Sequence, residues 1–220
     1  MVPILVLLTV VAFFVVEWHL DNRREAAVLN ARTTPFGGER DLFMHPGHTW
    51  VRPTSDGLVS IGASGFATNF AGNPRGIKLP RVGRRLHQGE PAWTLVSKRG
   101  RRLDQAMPVR GKVVAVNEAL RRDPALAQRS PYDAGWILRV RPSDLRGGLR
   151  NLLHGDAANA WREAVRSTAT AELRPAMGSL AQDGGDWIAG FGDELDDETW
   201  DRTQKMLFPV DASENSGEPK

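Results

Sequence analysis

HTWVRPTSDGLVSIGASGFA, residues 48–67, is the stretch that decides the architecture of this chain. Thr49–Arg52 and Leu58–Ile61 read as short strands, and Ser55-Asp56-Gly57 between them is a hairpin turn signal. The same texture continues downstream. Ala92–Ser97 and Arg102–Met107 flank Lys98–Arg101, predicting a second hairpin with Gly100 near its tip. Lys112–Val116 and Ile137–Val140 complete the strand set, and Asn117 caps a helix through NEALRRDPALAQ that breaks at Asp123-Pro124. Short strands at this spacing predict a β-rich (α+β) domain, built as a small sandwich or flattened barrel. Gly57, Gly89 and Gly111 fall where turns need a residue that tolerates positive φ. Trp50, Trp93 and Trp136 supply large apolar fillings for so small a core.

Beyond Pro142 the pattern becomes helical. Asp156–Leu173 sets Ala157, Trp161, Ala164, Val165 and Thr168 on one stripe of an amphipathic helix ending near Pro175. Residues 177–192 are Gly-rich and irregular. A last helix is expected from Leu195 to Leu207, with Asp193, Glu194, Asp196 and Asp197 at its positive end, and the tail DASENSGEPK reads as disordered.

In the other direction, Val2–Val16 contains no charged or strongly polar side chain, and Trp18 and Leu20 extend the apolar run toward the roughly 20 residues a membrane-spanning helix needs. Residues 1–20 are therefore expected to be a single-pass anchor. Arg23 and Arg24 follow the run, which predicts a main body on the cytoplasmic side. Residues 21–44 read as a tether.

The segments between His48 and Leu153 resemble, in order, the glycine cleavage system H protein family. The similarity is carried by His48-Thr49-Trp50-Val51, Asp56–Gly62, Phe66-Ala67, Leu79-Pro80, Val82-Gly83, Gly89-Glu90-Pro91, Pro108–Gly111, Val116–Leu120, Asp123-Pro124, Pro131-Tyr132, Gly135–Ile137 and Pro142–Asp144. The resemblance implies an H-protein or lipoyl-domain-like fold over residues 45–153, followed by a helical extension over 154–210. It also implies the family's chemistry, in which lipoate is carried as an amide on a lysine at a hairpin tip and shuttles between enzymes. Here the tip reads Val96-Ser97-Lys98-Arg99-Gly100-Arg101-Arg102. Counting from Gly89 puts the family's lysine at Arg99; counting back from Pro108 puts it at Gly100. Lys98 lies near the tip in neither register.

Charge and composition narrow the function. Cysteine is absent, which removes thiolate catalysis and every Cys-containing metal site. There is no phosphate-binding glycine loop or nucleophile elbow, so no enzymatic activity is expected. His45-Pro46-Gly47-His48 offers two histidines and no third ligand nearby, which favours a turn or packing role over a metal site. Residues 81–112 carry nine Lys or Arg against Glu90 and Asp104, whereas residues 172–220 carry twelve acids against four bases. These features predict a membrane-anchored, non-lipoylated interaction or scaffold module with no cofactor, in which Lys98, Arg99, Arg101 and Arg102 meet an acidic partner. That partner is an unidentified protein, the anionic leaflet or the chain's own acidic segment. The run has no interleaved aromatics, which argues against nucleic acid. The alternative is a working lipoyl carrier, an aminomethyl and redox shuttle, using Lys98.

Overall fold

The computed structural model describes residues 42–177 and 189–211, with side chains over 42–173 and 189–211. Nine strands run β1 (Phe43–His45), β2 (Thr49–Pro53), β3 (Val59–Ala63), β4 (Gly76–Lys78), β5 (Arg85–Leu86), β6 (Pro91–Val96), β7 (Arg102–Ala106), β8 (Gly111–Val116) and β9 (Leu138–Pro142). Six form one sheet in the order β1-β2-β3-β9-β8-β5, and three form another in the order β4-β6-β7. Every pairing is antiparallel. The two sheets share one core: Val51, Ile61, Leu138 and Val140 from the first lie in the same apolar cluster as Leu95 and Leu103 from the second. Burying each such side chain contributes about 1.5–3 kcal/mol, which outweighs any single polar contact.

Several expectations from sequence are corrected. β1, β4 and β5 have two or three residues each, too short to show a period, and β1 lies partly in the segment read as a tether. The helix after Asn117 breaks at Asp123-Pro124 as expected, leaving two short pieces, α2 (Ala119–Arg122) and α3 (Leu126–Arg129). Asn117 Oδ1 accepts from Ala119 N at 3.2 Å at the start of α2, as a cap does. Its Nδ2 donates to Ala134 O and Trp136 O at 2.8 and 2.7 Å, clipping the loop back onto the sheet. Trp50 and Trp93 fill the core as expected, but Trp136 is only half-buried.

Gly57 and Gly89 adopt φ of 78° and 88°, whereas Gly111 does not have positive φ. Its need is space: a Cβ there would stand 2.5 Å from Arg141 O and 2.6 Å from Val140 Cγ1. Gly111→Ala is expected to lower stability by about 1–3 kcal/mol. Urea unfolding would show a lower midpoint at unchanged slope; an unaltered midpoint would refute the close-approach account.

The helices begin with α1 (Gly65–Ala71), where Ser64 Oγ accepts from Ala67 N. After β9 come α4 (Leu145–Arg150), capped by Asp144, and α5 (Gly155–Met177), which continues past Pro175. The buried side of α5 is carried by Ala158, Ala169 and Leu173, with Trp161 and Val165 half-buried between them. Ala157, Ala164 and Thr168 are exposed, so the predicted stripe is rotated away from the observed one. Alanine recurs on every side of this helix and cannot mark a face. The final segment is a 3₁₀ turn (Phe191–Glu194) followed by α6 (Asp197–Leu207), rather than one helix from Leu195. Asp196 caps α6, accepting from Thr199 N at 2.8 Å, and Asp197 and Glu198 occupy its first turn.

Among the described residues, no helix is long and apolar enough to cross a membrane. The anchor expected over residues 1–20, most of the tether and the tail beyond Asp211 lie outside the described residues, as does 178–188 of the irregular stretch.

Candidate functional site: the β6–β7 hairpin tip

Strands β6 and β7 pair in register from Thr94↔Asp104 to Val96↔Arg102, leaving Ser97–Arg101 to turn the chain. Ser97 N donates to Arg101 O at 2.9 Å and Gly100 N donates to Ser97 O at 3.0 Å. Lys98 and Arg99 are therefore the two central residues of the turn, and Gly100, at φ 87°, supplies the left-handed step that follows. Ser97 is buried, and its Oγ accepts from Arg101 N at 3.2 Å. This geometry revises the expectation for Lys98. It stands at the apex beside Arg99, not short of it, and its side chain is exposed. Neither Lys98 nor Arg102 makes a hydrogen bond or ion pair among the described residues.

Arg99 and Arg101 are engaged by the C-terminal segment. Arg99 N donates to Asp193 Oδ2 at 3.3 Å, and the Arg99 guanidinium lies 3.8 Å from Glu194 Oε2. Arg101 Nη1 donates to Gly192 O at 3.1 Å and Nη2 to Asp197 Oδ1 at 2.7 Å, with the guanidinium 5.2 Å from the Trp200 ring centre. Of the acidic partners anticipated for the hairpin, the chain's own C-terminal segment is the one that meets Arg99 and Arg101 here. Sequence reasoning placed Asp193, Glu194 and Asp197 at a helix end and offered the acidic segment as one partner of the basic run, but it did not single out Trp200 or pair these residues individually with Arg99 and Arg101. The opposite charge of the two regions was the signal that could have joined them.

What fixes the segment there is α1. Gly190 N donates to Asn69 O at 2.7 Å, and a Cβ on Gly72 would come within 2.6 Å of Gly190 Cα. Phe70 stacks on Trp200 with centroids 4.6 Å apart and meets Phe191 edge-on at 5.2 Å. Phe191, Leu195, Trp200, Leu207 and Phe208 are all buried. Magnitudes decide which effect holds the segment. A half-exposed pair such as Arg99–Glu194 is worth about 0–1 kcal/mol, and five buried apolar side chains are worth several times that together. The ion pairs orient the contact, and apolar burial retains it.

The two histidines also meet this region. His45 Nδ1 accepts from Gly47 N at 2.9 Å, a turn role. His48 is held at φ 61° and buried, with its ring centroid 4.6 Å from Phe66, 4.8 Å from Trp161 and 5.0 Å from Phe208. Burial, aided by the neighbouring His45, pushes its pKa down to about 3, so the ring is neutral near pH 7. No cluster of three metal-ligating side chains occurs among the described residues.

The model of the glycine cleavage H-protein family matches residues 42–164, more than half of the sequence. The chain belongs to that family. Glycine cleavage system H protein of Aliivibrio salmonicida is 37% identical over 118 residues, covering 54% of this chain and 92% of the relative. That of Thermus thermophilus is 35% identical over 130 residues, 59% of this chain and 97% of the relative. A solved glycine cleavage system H protein from Mycobacterium marinum is 32% identical with a TM-score of 0.45, covering 48% of this chain and 87% of that one. The match takes in β1 and the first turns of α5. The segment that engages the hairpin tip, residues 189–211, lies outside it.

Proposed function

We propose that this chain is an H-protein-family module that does not carry lipoate and acts as a non-enzymatic interaction or scaffold protein, anchored by residues 1–20 with its body in the cytoplasm. The observation that carries this reading is the engagement of the hairpin tip by the chain's own C-terminal segment. A carrier arm works only if its root is free to be modified and to visit successive enzymes. Here Arg99 stands where counting from Gly89 puts the family's lysine, and its backbone N–H is bonded to Asp193. Gly100, the position given by the other count, lies between two residues held by that segment. The basic turn also lacks the acidic flank of the family's motif, and partners adapted to an acidic carrier would meet like or mismatched charge.

A second reading, a lipoyl carrier of the glycine cleavage type, is favoured by one observation: Lys98 is an exposed primary amine at the apex of the turn. If lipoate were attached here, Lys98 would hold it and the group would supply dithiol–disulfide chemistry. The measurement is intact mass of the full chain co-expressed with a lipoate ligase and free lipoate, beside a genuine H protein in the same cells. The expected result is an unmodified mass beside a fully modified control. A mass increase of one lipoyl amide that Lys98→Ala abolishes would overturn the proposal in favour of the carrier. The anchor is checked separately by carbonate washing of membranes and by reporter fusions to the C-terminus. Release into the soluble fraction would remove the anchor, and activity of only a periplasmic reporter would reverse the orientation.

A further inference from the structure

The basic residues of positions 81–112 do not form one patch in three dimensions. Arg99 and Arg101 are neutralised by the C-terminal segment. A second group lies on the outer face of the six-stranded sheet. Arg85 of β5 stands directly opposite Lys112 of β8, and Lys112 stands directly opposite Arg141 of β9. Alternation along β9 puts Arg139 on the same face as Arg141, with buried Val140 pointing to the core between them. Arg139 pairs with Ser60 and Ser60 with Arg52, so the basic row continues across the sheet. That far end is covered: Arg52 and Arg139 are buried, and Arg139 packs over Trp136 at 5.5 Å. Arg85, Lys112 and Arg141 remain exposed, on three adjacent strands spanning about 10 Å.

Like charges directly opposite one another destabilise a sheet, and this row is not offset from within. None of Arg85, Lys112 and Arg141 forms an ion pair among the described residues. Arg81, Arg84 and Arg110 add further exposed cations around the row. A sheet face selected only for solubility would mix its signs.

We propose that this face docks onto anionic phospholipid headgroups, with Arg85, Lys112 and Arg141 as its centre. The charge complementarity is with phosphate, and the row has no aromatic side chain on which single-stranded bases would stack. The choice of lipid over other polyanions rests on the proposed reading of residues 1–20 as a membrane anchor. Basic side chains near an anionic leaflet each contribute roughly fivefold in partition, so three give about a hundredfold at low salt.

The test is flotation of the purified full chain with vesicles of phosphatidylcholine alone or of phosphatidylcholine with phosphatidylglycerol. Binding to neutral vesicles reports the apolar N-terminus; with lipid limiting, so that neutral vesicles float only part of the protein, the anionic-to-neutral ratio reports the sheet face, and the two readings fail separately. The expected result is a strong anionic preference that shrinks as salt rises past about 0.15 M and falls toward unity in R85E/K112E/R141E. The milder R85Q/K112Q/R141Q, with its circular dichroism spectrum checked, is expected to lose most of the preference without charge reversal. Equal partition of the wild type, or an undiminished preference in both variants, would overturn the proposal. So would tighter binding of duplex DNA than of anionic vesicles through the same three residues.

Discussion

Replacing Trp200 with alanine is expected to destabilise the protein by about 3–5 kcal/mol. The indole is 4% exposed, stacks on Phe70 at 4.6 Å, lies beneath the Arg101 guanidinium and donates from Nε1 to Gln204 Oε1 at 3.1 Å. Truncation leaves a cavity beside α1 that the neighbours cannot fill. Gly192 has no side chain, and its backbone is already pressed between Phe70 and the indole. The effect should also be local in a way that a general core defect is not. With the ring gone, the 3₁₀ turn and α6 lose their main grip on α1, and Arg99 and Arg101 lose their partners. An arginine-specific protease is then expected to cut after Arg99 and Arg101 faster in the variant than in the wild type under native conditions. Urea unfolding with limited proteolysis checks both parts. A loss below about 1 kcal/mol, or a hairpin equally resistant in the variant, would show that the segment is held by something other than this ring.

Acid is expected to unfold the protein through His48. The sign follows from the direction of the shift. The folded state holds this imidazole at about 3, far below its ordinary value of 6.5, so the unfolded chain binds the proton more readily. Stability from this group is fully present above pH 6.5 and is lost as pH falls from there toward 3, amounting to about 3 kcal/mol by pH 4. His45, also shifted down by burial, acts in the same direction. His48→Asn keeps a residue type that tolerates the left-handed backbone at this position and removes the titrating ring. It is expected to be less stable at neutral pH, because the contacts with Phe66, Trp161 and Phe208 go, yet to show a much flatter dependence between pH 6.5 and 4. Denaturant midpoints across that range are the readout. A variant whose slope matches the wild type would mean that the acid sensitivity arises elsewhere.

The two expectations rest on contacts of very different legibility. The hairpins could be read because Ser55-Asp56-Gly57 and Gly100 are local signals: turn chemistry is written in adjacent residues. The break at Asp123-Pro124 was legible for the same reason. The buried side of α5 was not, since Ala157 and Ala158 look alike to a periodicity argument and only the sheet beneath decides between them. Gly111 was assigned the right residue type for the wrong cause, because crowding by Arg141 O comes from a strand 30 positions away. At the candidate site, counting along the chain gave Arg99 or Gly100 and left Lys98 in neither register; that Lys98 and Arg99 are the two central residues of the turn lay in how Ser97, Gly100 and Arg101 bond across it. The engagement of the tip was hinted at by charge alone. Opposite net charge in two segments states that they attract, not that Asp193 and Asp197 meet Arg99 and Arg101. The geometry depends on Gly72 and Gly190 letting two backbones touch, a feature without a sequence signature.

The order in which the chain is made gives the C-terminal clasp a temporal meaning. Arg99 and Asp193 are 94 positions apart, and a ribosome adds about 5–20 residues per second. The hairpin therefore emerges several seconds before the residues that will cover its flank have been synthesised. During that interval Lys98 and its neighbours project from a fold that lacks its final segment. Any enzyme that acts on the uncovered turn has its opportunity then. Once α6 has docked, reaching that flank requires the segment to be peeled from Phe70, so full exposure of the flank, though not of Lys98 at the apex, is largely an event of the protein's birth.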